Sequence, residues 1–170
     1  MEIFFERMSI EHKKEIMDIF NYYVENSFAA YPDTILPYDF YGKFMEMTKD
    51  YPAFSIKVEC KIVGFCFLRA YNPFPTFKET AEITYFIDKD FKGKGIGKIA
   101  LMKLEMEARQ KGIKIILANI ASVNEESLAF HIKNGFKECG RFEKIIKKKD
   151  KKFDIVWMQK MIDKKSTIHE

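Results

Sequence analysis

The sequence predicts a mixed α/β domain in which helices pack on a mainly antiparallel sheet. Apolar residues recur at strand spacing in some segments and at helix spacing in others. The order is strand, helix, helix, three strands, helix, strand, helix and two strands. No internal repeat or low-complexity linker interrupts the 170 residues, of which 47% are hydrophobic. We therefore expect one domain over residues 1–162, large enough for a sizeable core, and a polar tail over residues 163–170.

The first third of the chain predicts one strand and two helices. "EIFFERM" at residues 2–8 has the character of a strand. Residues 9–27 predict a helix, because Ser9 can cap it and apolar residues follow at helical spacing. A second helix is predicted near residues 38–49, where the following Tyr-Pro pair disfavours further helix.

Three strands are predicted next. "AFSIKVECKIVGFCFLRAY" at residues 53–71 contains two apolar runs and predicts a hairpin, with Gly64 marking a bulge or a close contact. The segment 72–80 carries two prolines and two phenylalanines, which indicates an aromatic loop. "AEITYFID" predicts the next strand, and its alternation places Glu82 and Tyr85 on opposite faces.

The last third predicts a strand, a helix and a hairpin. The isoleucine-rich run at residues 113–120 indicates a fully buried strand. Residues 124–135 predict a helix that ends at a glycine. Two apolar segments, 136–146 and 153–162, predict a hairpin whose lysine-rich turn at 147–152 is expected to be a solvated tip.

The overall charge and the cysteines limit the classes of function. The net charge of +4 is mild and comes largely from the lysine-rich turn, so we expect no nucleic-acid partner. A polyanionic small molecule would account for this charge equally well. The three cysteines form no C-x-x-C pair and are odd in number, which indicates neither a disulfide framework nor a metal site. The charged start and the short apolar runs indicate a cytoplasmic protein without a membrane partner.

A glycine-rich stretch, "FKGKGIGKIALMKLEMEARQKG" at residues 91–112, links the strand at 81–88 to a helix. It is not a P-loop, because Lys92 stands where the first glycine belongs and Ile99 replaces the serine or threonine. It is not a dinucleotide-binding fingerprint, because Lys98 occupies the position of the third glycine. A glycine-rich turn before a helix N-terminus can still bind an anion. A surface turn with solvated lysines is the alternative.

The stretch from Lys92 to Gly97 resembles motif A of the GNAT family of N-acetyltransferases, which is Arg or Gln, two residues, Gly, one residue, then Gly or Ala. "AEITYFID", "NEESLAFHIKNGF" and "FDIVWMQ" resemble further motifs of the subfamily of phosphinothricin and methionine sulfoximine acetyltransferases. The resemblance extends in the right order over nearly all of the chain. Two departures are Lys92 itself and "IIKKKDKK", which replaces the usual Gly-His-Gly-type turn before the last strand.

The resemblance implies a central sheet that splays between the strand at 81–88 and the strand at 114–120, with acetyl-CoA bound in the gap as co-substrate. Backbone groups of the first strand are expected to pair with the pantetheine arm, and the glycine-rich loop is expected to bind the pyrophosphate. The asparagine and the serine of the next helix match the cofactor side of their motif, and the asparagine can also be a simple helix cap. The implied cofactor-binding residues are Tyr85, Phe86, Ile87, Lys92, Gly93, Lys94, Gly95, Ile96, Gly97, Lys98, Asn124 and Ser127.

Two residues are candidates for catalysis. An ammonium cannot attack a thioester, so a base must first remove a proton, and Glu82 is the first candidate. Its alternative is a glutamate in a structural salt bridge. His131 lies where relatives carry the residue thought to protonate the leaving thiolate, and a structural histidine is its alternative. We expect His12 and His169 at the surface.

The implied function is N-acetylation of a small amino-acid-like amine, of the phosphinothricin or methionine sulfoximine type, by direct attack in a ternary complex. The alternatives are another amine, such as a protein N-terminus, a polyamine or an aminoglycoside, and a non-catalytic acetyl-CoA-binding module. Relatives commonly form homodimers, so a homodimer is an open expectation. The substrate is expected to contact aromatic loop residues and the face of the strand that carries the glutamate, at Tyr31, Tyr71, Phe74 and Thr84.

Overall fold

The computed structural model describes residues 1–162, and the expected polar tail and His169 lie outside this range. Seven strands and four α-helices occur within the described residues, in the order that the sequence predicts. Their bounds are β1 (Ile3–Arg7), α1 (Lys13–Asn26), α2 (Tyr41–Met47), β2 (Ala53–Val58), β3 (Lys61–Ala70), β4 (Thr80–Ile87), α3 (Ile96–Gln110), β5 (Ile115–Ala121), α4 (Glu125–Lys133), β6 (Lys137–Lys148) and β7 (Lys151–Met161).

The strands form one sheet in the order β1-β2-β3-β4-β5-β7-β6. Every neighbouring pair is antiparallel except β4 and β5, which are parallel and pair at only three positions, from Thr80 opposite Ile115 to Glu82 opposite Leu117. Beyond these positions β4 stays paired with β3 and β5 stays paired with β7, but the two strands leave each other. The mixed, mainly antiparallel and splayed sheet is therefore confirmed.

The two faces of the sheet carry two separate apolar cores. Ile83 of β4 packs in the core that includes Leu104 of α3, whereas Phe86 of β4 packs against the core that includes Phe44 of α2. This division follows from the alternation of side chains along a strand. Consequently α3 covers one face of the sheet, α1 and α2 cover the other, and residues of β4 reach both.

Gly64 lies where the sequence predicts a bulge or a close contact. The register of β2 and β3 shifts beside it, between Ile56 and Lys57. A Cβ atom at this position would stand 2.8 Å from the carbonyl oxygen of Phe86. The glycine is therefore required because the neighbouring strand passes too close for any side chain.

Two expectations about burial are wrong. β5 is not fully buried, since Ile116 and Ala118 are buried whereas Leu117 and Asn119 are half-buried. The apolar run hides this alternation, because Leu117 and Asn119 lie on the face of β5 opposite to the core that contains Ile116 and Ala118. His12 is only 5% exposed, because its ring is enclosed beside the first strand and its Nδ1 accepts a hydrogen bond from the backbone N–H of Ser9 at 3.3 Å.

The lysine-rich turn is a solvated tip, as expected, except at Lys148, since Lys147, Lys149, Lys151 and Lys152 are all exposed. The strands β6 and β7 extend until the turn is only two residues long, and Lys148 at the end of β6 is 1% exposed. Its Nζ donates hydrogen bonds to the carbonyl oxygens of Val24 at 2.8 Å, Ser27 at 2.8 Å and Ala30 at 2.6 Å. Carbonyls at the end of a helix lack intrahelical partners, and a cation satisfies them well. Lys148 therefore ties the hairpin to the end of α1 and to the segment after it.

Membrane-spanning helices, metal-binding groups and disulfides are features that the sequence does not indicate. No helix within residues 1–162 is long and apolar enough to cross a membrane. In the same part of the chain, no group of three or more His, Cys, Asp and Glu side chains is arranged to hold a metal ion. All three cysteines are free thiols.

We predict that Lys148→Met lowers the free energy of unfolding by about 2 kcal/mol or more, because it leaves buried carbonyl oxygens without a donor. Lys147→Met is the matched control, since the Lys147 side chain is exposed and its ion pair is with Asp150 of the turn. The control should change stability by less than about 0.5 kcal/mol. Urea denaturation measures both values, and equal effects of the two variants would contradict the assigned role of Lys148.

Candidate active site

A cleft of about 840 Å³ opens where β4 and β5 separate. Its walls come from β3, β4 and β5, from α1 and α2, from the start of α3, from α4 and from the segment 29–32. Glu82, the last residue of β4 that pairs with β5, lines this cleft. The separation of two neighbouring strands thus creates a large concave site, which is the usual form of a binding site for small molecules.

Glu82 lies in a network of polar side chains. The residue is only 7% exposed, and its Oε1 accepts hydrogen bonds from Arg69 Nη2 at 2.8 Å and from Asn119 Nδ2 at 3.4 Å. Asn119 Oδ1 in turn accepts a hydrogen bond from the hydroxyl of Tyr31. The network joins β3, β4, β5 and the segment after α1, so it holds Glu82 in place across the separated strands.

Tyr31 stays protonated in this environment. Burial, together with the nearby charge of Glu82, raises the pKa of the Tyr31 hydroxyl. A neutral hydroxyl keeps its proton for the hydrogen bond to Asn119. The orientation of the asparagine amide, with its oxygen toward Tyr31 and its nitrogen toward Glu82, follows from this donor.

His131 and Tyr85 form a second polar pair in the cleft. His131 is 4% exposed, and its Nε2 lies 2.5 Å from the hydroxyl oxygen of Tyr85. Its Nδ1 lies 2.7 Å from the carbonyl oxygen of Ser127, so the ring proton belongs on Nδ1 and the tyrosine donates to Nε2. Burial lowers the pKa of His131 and raises that of Tyr85, which favours the neutral form of both. Strand alternation places this pair on the face of β4 opposite to Glu82.

The glycine-rich loop presents its backbone to the cleft. Gly93 and Gly95 have φ angles of 72° and 81°, which other residues adopt only with strain. No atom of residues 1–162 outside the immediate chain neighbours lies within 4 Å of the position that a Cβ atom would take at either glycine. Because the first helical bond of α3 runs from Ile99 N–H to Gly95 O, the three preceding N–H groups have no intrahelical partner. This end of α3 is suited to bind an anion.

Asn124 and Ser127 begin α4 beside this loop. Asn124 is the N-cap, and its Oδ1 accepts a hydrogen bond from the backbone N–H of Ser127 at 3.2 Å. The capping role weighed for Asn124 is therefore confirmed. Both residues line the cleft, and Glu126 of the same turn pairs with Lys92 at 2.7 Å, which connects α4 to the glycine-rich loop.

The acetyltransferase (GNAT) family model matches residues 16–136, more than half of the chain. The chain belongs to the GNAT family of acetyltransferases. This membership agrees with the splayed sheet and with the glycine-rich loop at the start of α3.

Several acyltransferases resemble this chain over much of its length. It is 29% identical over 103 residues to the L-methionine sulfoximine/L-methionine sulfone acetyltransferase of Pseudomonas paraeruginosa, a match to 61% of this chain and 60% of that protein. It is 26% identical over 153 residues, 89% of either chain, to the L-amino acid N-acyltransferase MnaT of Escherichia coli. The crystal structure of a ribosomal-protein-alanine N-acetyltransferase from Brucella melitensis has a TM-score of 0.86 at 26% identity, covering 95% of this chain and 99% of that one.

The GNAT cleft brings together most of the residues that the sequence singled out. Those that line it are Tyr31, Glu82, Thr84, Tyr85, Phe86, Ile87, Lys92, Gly93, Gly95, Ile96, Gly97, Lys98, Asn124, Ser127 and His131. Three others lie elsewhere. Lys94 places its Nζ over the ring of Phe91, at 4.7 Å from its centre. Tyr71 packs against Trp157, and Phe74 is 67% exposed.

Sequence reasoning missed three side chains of this GNAT site. Arg69 and Asn119 both bond to Glu82, and the hydroxyl of Tyr23 donates a hydrogen bond to the carbonyl oxygen of Ile87 in β4. A signal existed for two of them, since Asn119 is the single polar residue of β5 and Arg69 interrupts the apolar run of β3. Tyr23 has no such signal, because an aromatic residue on the inner face of a helix is equally typical of a core.

We predict that His131 makes stability depend on pH. Because burial holds the pKa of His131 below its ordinary value of 6.5, the unfolded chain binds this proton more readily than the folded chain. The contribution to stability is complete above about pH 6.5 and is lost as the pH falls toward the folded-state pKa. Urea denaturation between about pH 5 and pH 8 should therefore give a flatter profile for His131→Gln than for the wild type.

The matched control for this profile is Lys133→Gln. Lys133 is an exposed residue of the same helix, so its replacement leaves the buried imidazole in place. The control should keep the wild-type slope. A slope in His131→Gln equal to that of the wild type would contradict the assigned protonation of the buried imidazole.

Proposed function

We propose that this GNAT protein is an N-acetyltransferase that moves the acetyl group of acetyl-CoA to the amine of a small amino-acid-like acceptor. The acceptor would be of the phosphinothricin or methionine sulfoximine type, and its amine would attack directly in a ternary complex. The observation that carries the proposal is the position of Glu82. It is a buried carboxylate at the point where β4 and β5 separate, in the same cleft as the glycine-rich start of α3.

The residues of the cleft fit acetyl-CoA, which would supply the acetyl thioester. The free N–H groups of the first turn of α3 and the open space beside Gly93 and Gly95 suit a pyrophosphate. The backbone of Tyr85, Phe86 and Ile87 has no β5 partner and can pair with an extended pantetheine chain as an added strand would. Asn124 and Ser127 lie beside the same loop.

Glu82 is suited to take the proton from the acceptor amine. Its Oε1 is occupied by hydrogen bonds from Arg69 and Asn119, whereas no side chain of residues 1–162 donates to its Oε2. That second oxygen is then available to accept the proton, directly or through a water molecule. The salt bridge that was the alternative for Glu82 is present, and it orients the carboxylate while leaving one oxygen available.

Tyr85 and His131 are suited to supply a proton on the other face of β4. As the new C–N bond forms and the C–S bond breaks, CoA leaves as a thiolate and takes up one proton. The Tyr85 hydroxyl carries the single hydrogen between the two rings, and His131 holds that hydroxyl through Nε2. We therefore extend the role expected of His131 to the pair. Base and acid then act from opposite faces of one strand.

A protein N-terminus is the second candidate acceptor. The Brucella melitensis structure that resembles this chain over nearly its whole length is a ribosomal-protein-alanine N-acetyltransferase by name. The relatives from Pseudomonas paraeruginosa and Escherichia coli, whose names specify amino acids or their analogues, favour the smaller acceptor. Release of free thiol from acetyl-CoA distinguishes the two when phosphinothricin, methionine sulfone, methionine sulfoximine and an alanine-initiated peptide are compared.

We predict that Glu82→Gln lowers kcat/KM by about 100-fold to 10,000-fold, the range typical of a lost general base, and leaves the Kd for CoA unchanged. Thiol release and calorimetry measure the two quantities. Glu105→Gln is the matched control, because Glu105 is also 7% exposed and salt-bridged but lies on α3 outside the cleft.

The control should lose stability rather than turnover. Equal kcat/KM values in Glu82→Gln and in the wild type would contradict the assignment of Glu82 as the base. A wild-type protein that binds CoA but releases no thiol with any amine would favour the non-catalytic module instead.

We predict that Gly95→Val weakens CoA binding by at least about tenfold, which corresponds to about 1.4 kcal/mol. The added side chain fills the space beside the first turn of α3. Gly112→Val is the control for backbone strain, since Gly112 has a similar φ of 75° at the other end of the same helix. Both variants should lose stability, but calorimetry should show weaker CoA binding only for Gly95→Val. A Kd for CoA that is the same in both variants would place the pyrophosphate elsewhere.

A further inference from the structure

We propose that Arg69 binds a carboxylate of the acceptor, so that the cleft selects amines that carry a free carboxylate next to the amine. The inference rests on the proposed function, because it takes the part of the cleft around Glu82 as the acceptor site. It assigns to Arg69 a role in specificity that neither the sequence motifs nor the names of the relatives specify.

The hydrogen bonding of Arg69 is incomplete. Arg69 of β3 lies directly opposite Glu82 of β4, and its Nη2 donates to Glu82 Oε1 at 2.8 Å. Its Nε is buried and has no hydrogen-bond partner within residues 1–162, where no other buried side-chain nitrogen or oxygen lacks one. Buried donors without a partner are rare, and a charged donor is especially costly to leave unpaired. A ligand oxygen cannot touch this enclosed N–H, but it can pair with the accessible remainder of the guanidinium.

Arg69 also lies where such an oxygen can reach it. The residue lines the cleft, and its side chain is 36% exposed although Nε itself is covered. A guanidinium has five N–H donors in a planar fork that matches the two oxygens of a carboxylate. One hydrogen bond to Glu82 leaves most of these donors for a second carboxylate.

The charges of Glu82 and Arg69 are complementary to the two charged groups of an α-amino acid. Glu82 offers an anionic oxygen to an amine, and the neighbouring Arg69 offers a cation to an anionic group. The adjacent partners Asn119 and Tyr31 are uncharged, so the guanidinium is the one positive side chain in this network. An α-amino acid places an amine and a carboxylate on adjacent atoms and can meet both charges. A polyamine brings no carboxylate, and the first residue of a peptide has a neutral amide in its place.

The test compares two probes, L-methionine sulfone and its primary carboxamide, which differ only in the carboxylate. Binding in the presence of CoA is measured by calorimetry, and turnover by thiol release. The wild type should prefer the acid. In Arg69→Gln the acid should bind about 10-fold to 100-fold more weakly, the effect of losing a hydrogen bond to a charged group, whereas the amide should change by less than about threefold. Comparing the ratio of the two probes between proteins cancels their different amine basicities.

The controls separate this role from a purely structural one. Arg141→Gln removes an exposed arginine that pairs with Glu138 and Asp154 outside the cleft, and the ratio of the two probes should stay at the wild-type value. Should Arg69→Gln fail to fold, Arg69→Lys carries the same comparison, since lysine keeps a charge opposite Glu82 but lacks the Nε donor and the planar fork.

Three outcomes decide the matter. An equal loss of acid and amide in the Arg69 variant means that Arg69 only holds Glu82, which overturns the inference and leaves the N-acetyltransferase proposal intact. A wild type that does not prefer the acid overturns it as well. A loss of binding confined to the acid supports the inference. If the wild type also releases no thiol, the carboxylate site at Arg69 is still supported, whereas the proposed enzyme function is contradicted.

Discussion

The short pairing between β4 and β5 is the constraint on which the site depends. Three residues of parallel ladder join the two halves of the sheet, and beyond Glu82 each strand keeps only its outer neighbour. A sheet normally satisfies the backbone of every inner strand on both edges. Here the inner edges of two central strands are exposed inside the molecule, so the fold itself creates a cleft with unpaired backbone groups along its walls.

This separation also gives the cleft two chemically different sides. Side chains of β4 alternate between the face covered by α1 and α2 and the face covered by α3 and α4. Glu82 is therefore held by polar partners from β3 and β5, while Tyr85 is held by His131 where burial favours the neutral form of both rings. The strand itself therefore separates the Glu82 carboxylate from the Tyr85 hydroxyl.

The polar network around Glu82 depends on a contact from far along the chain. Tyr31 belongs to the segment after α1, and the neighbouring Ala30 carbonyl accepts a hydrogen bond from Lys148 in the last hairpin. The lysine thus anchors the segment that carries Tyr31 into the network around Glu82. A cation buried at a helix end is stable here because three carbonyl oxygens replace its hydration.

The sequence by itself determined the order of the elements, the glycine-rich start of α3 and the resemblance to the family, because periodicity, glycine spacing and local motifs are properties of neighbouring residues. It also identified Glu82 and His131 as candidates, and the structure brings both into one cleft. Only the tertiary structure decided which partners these residues have. Arg69, Asn119 and Lys148 act on atoms that lie 13, 37 and up to 124 residues away along the chain. Such contacts depend on strand register and on how the sheet splits, and no local pattern encodes either.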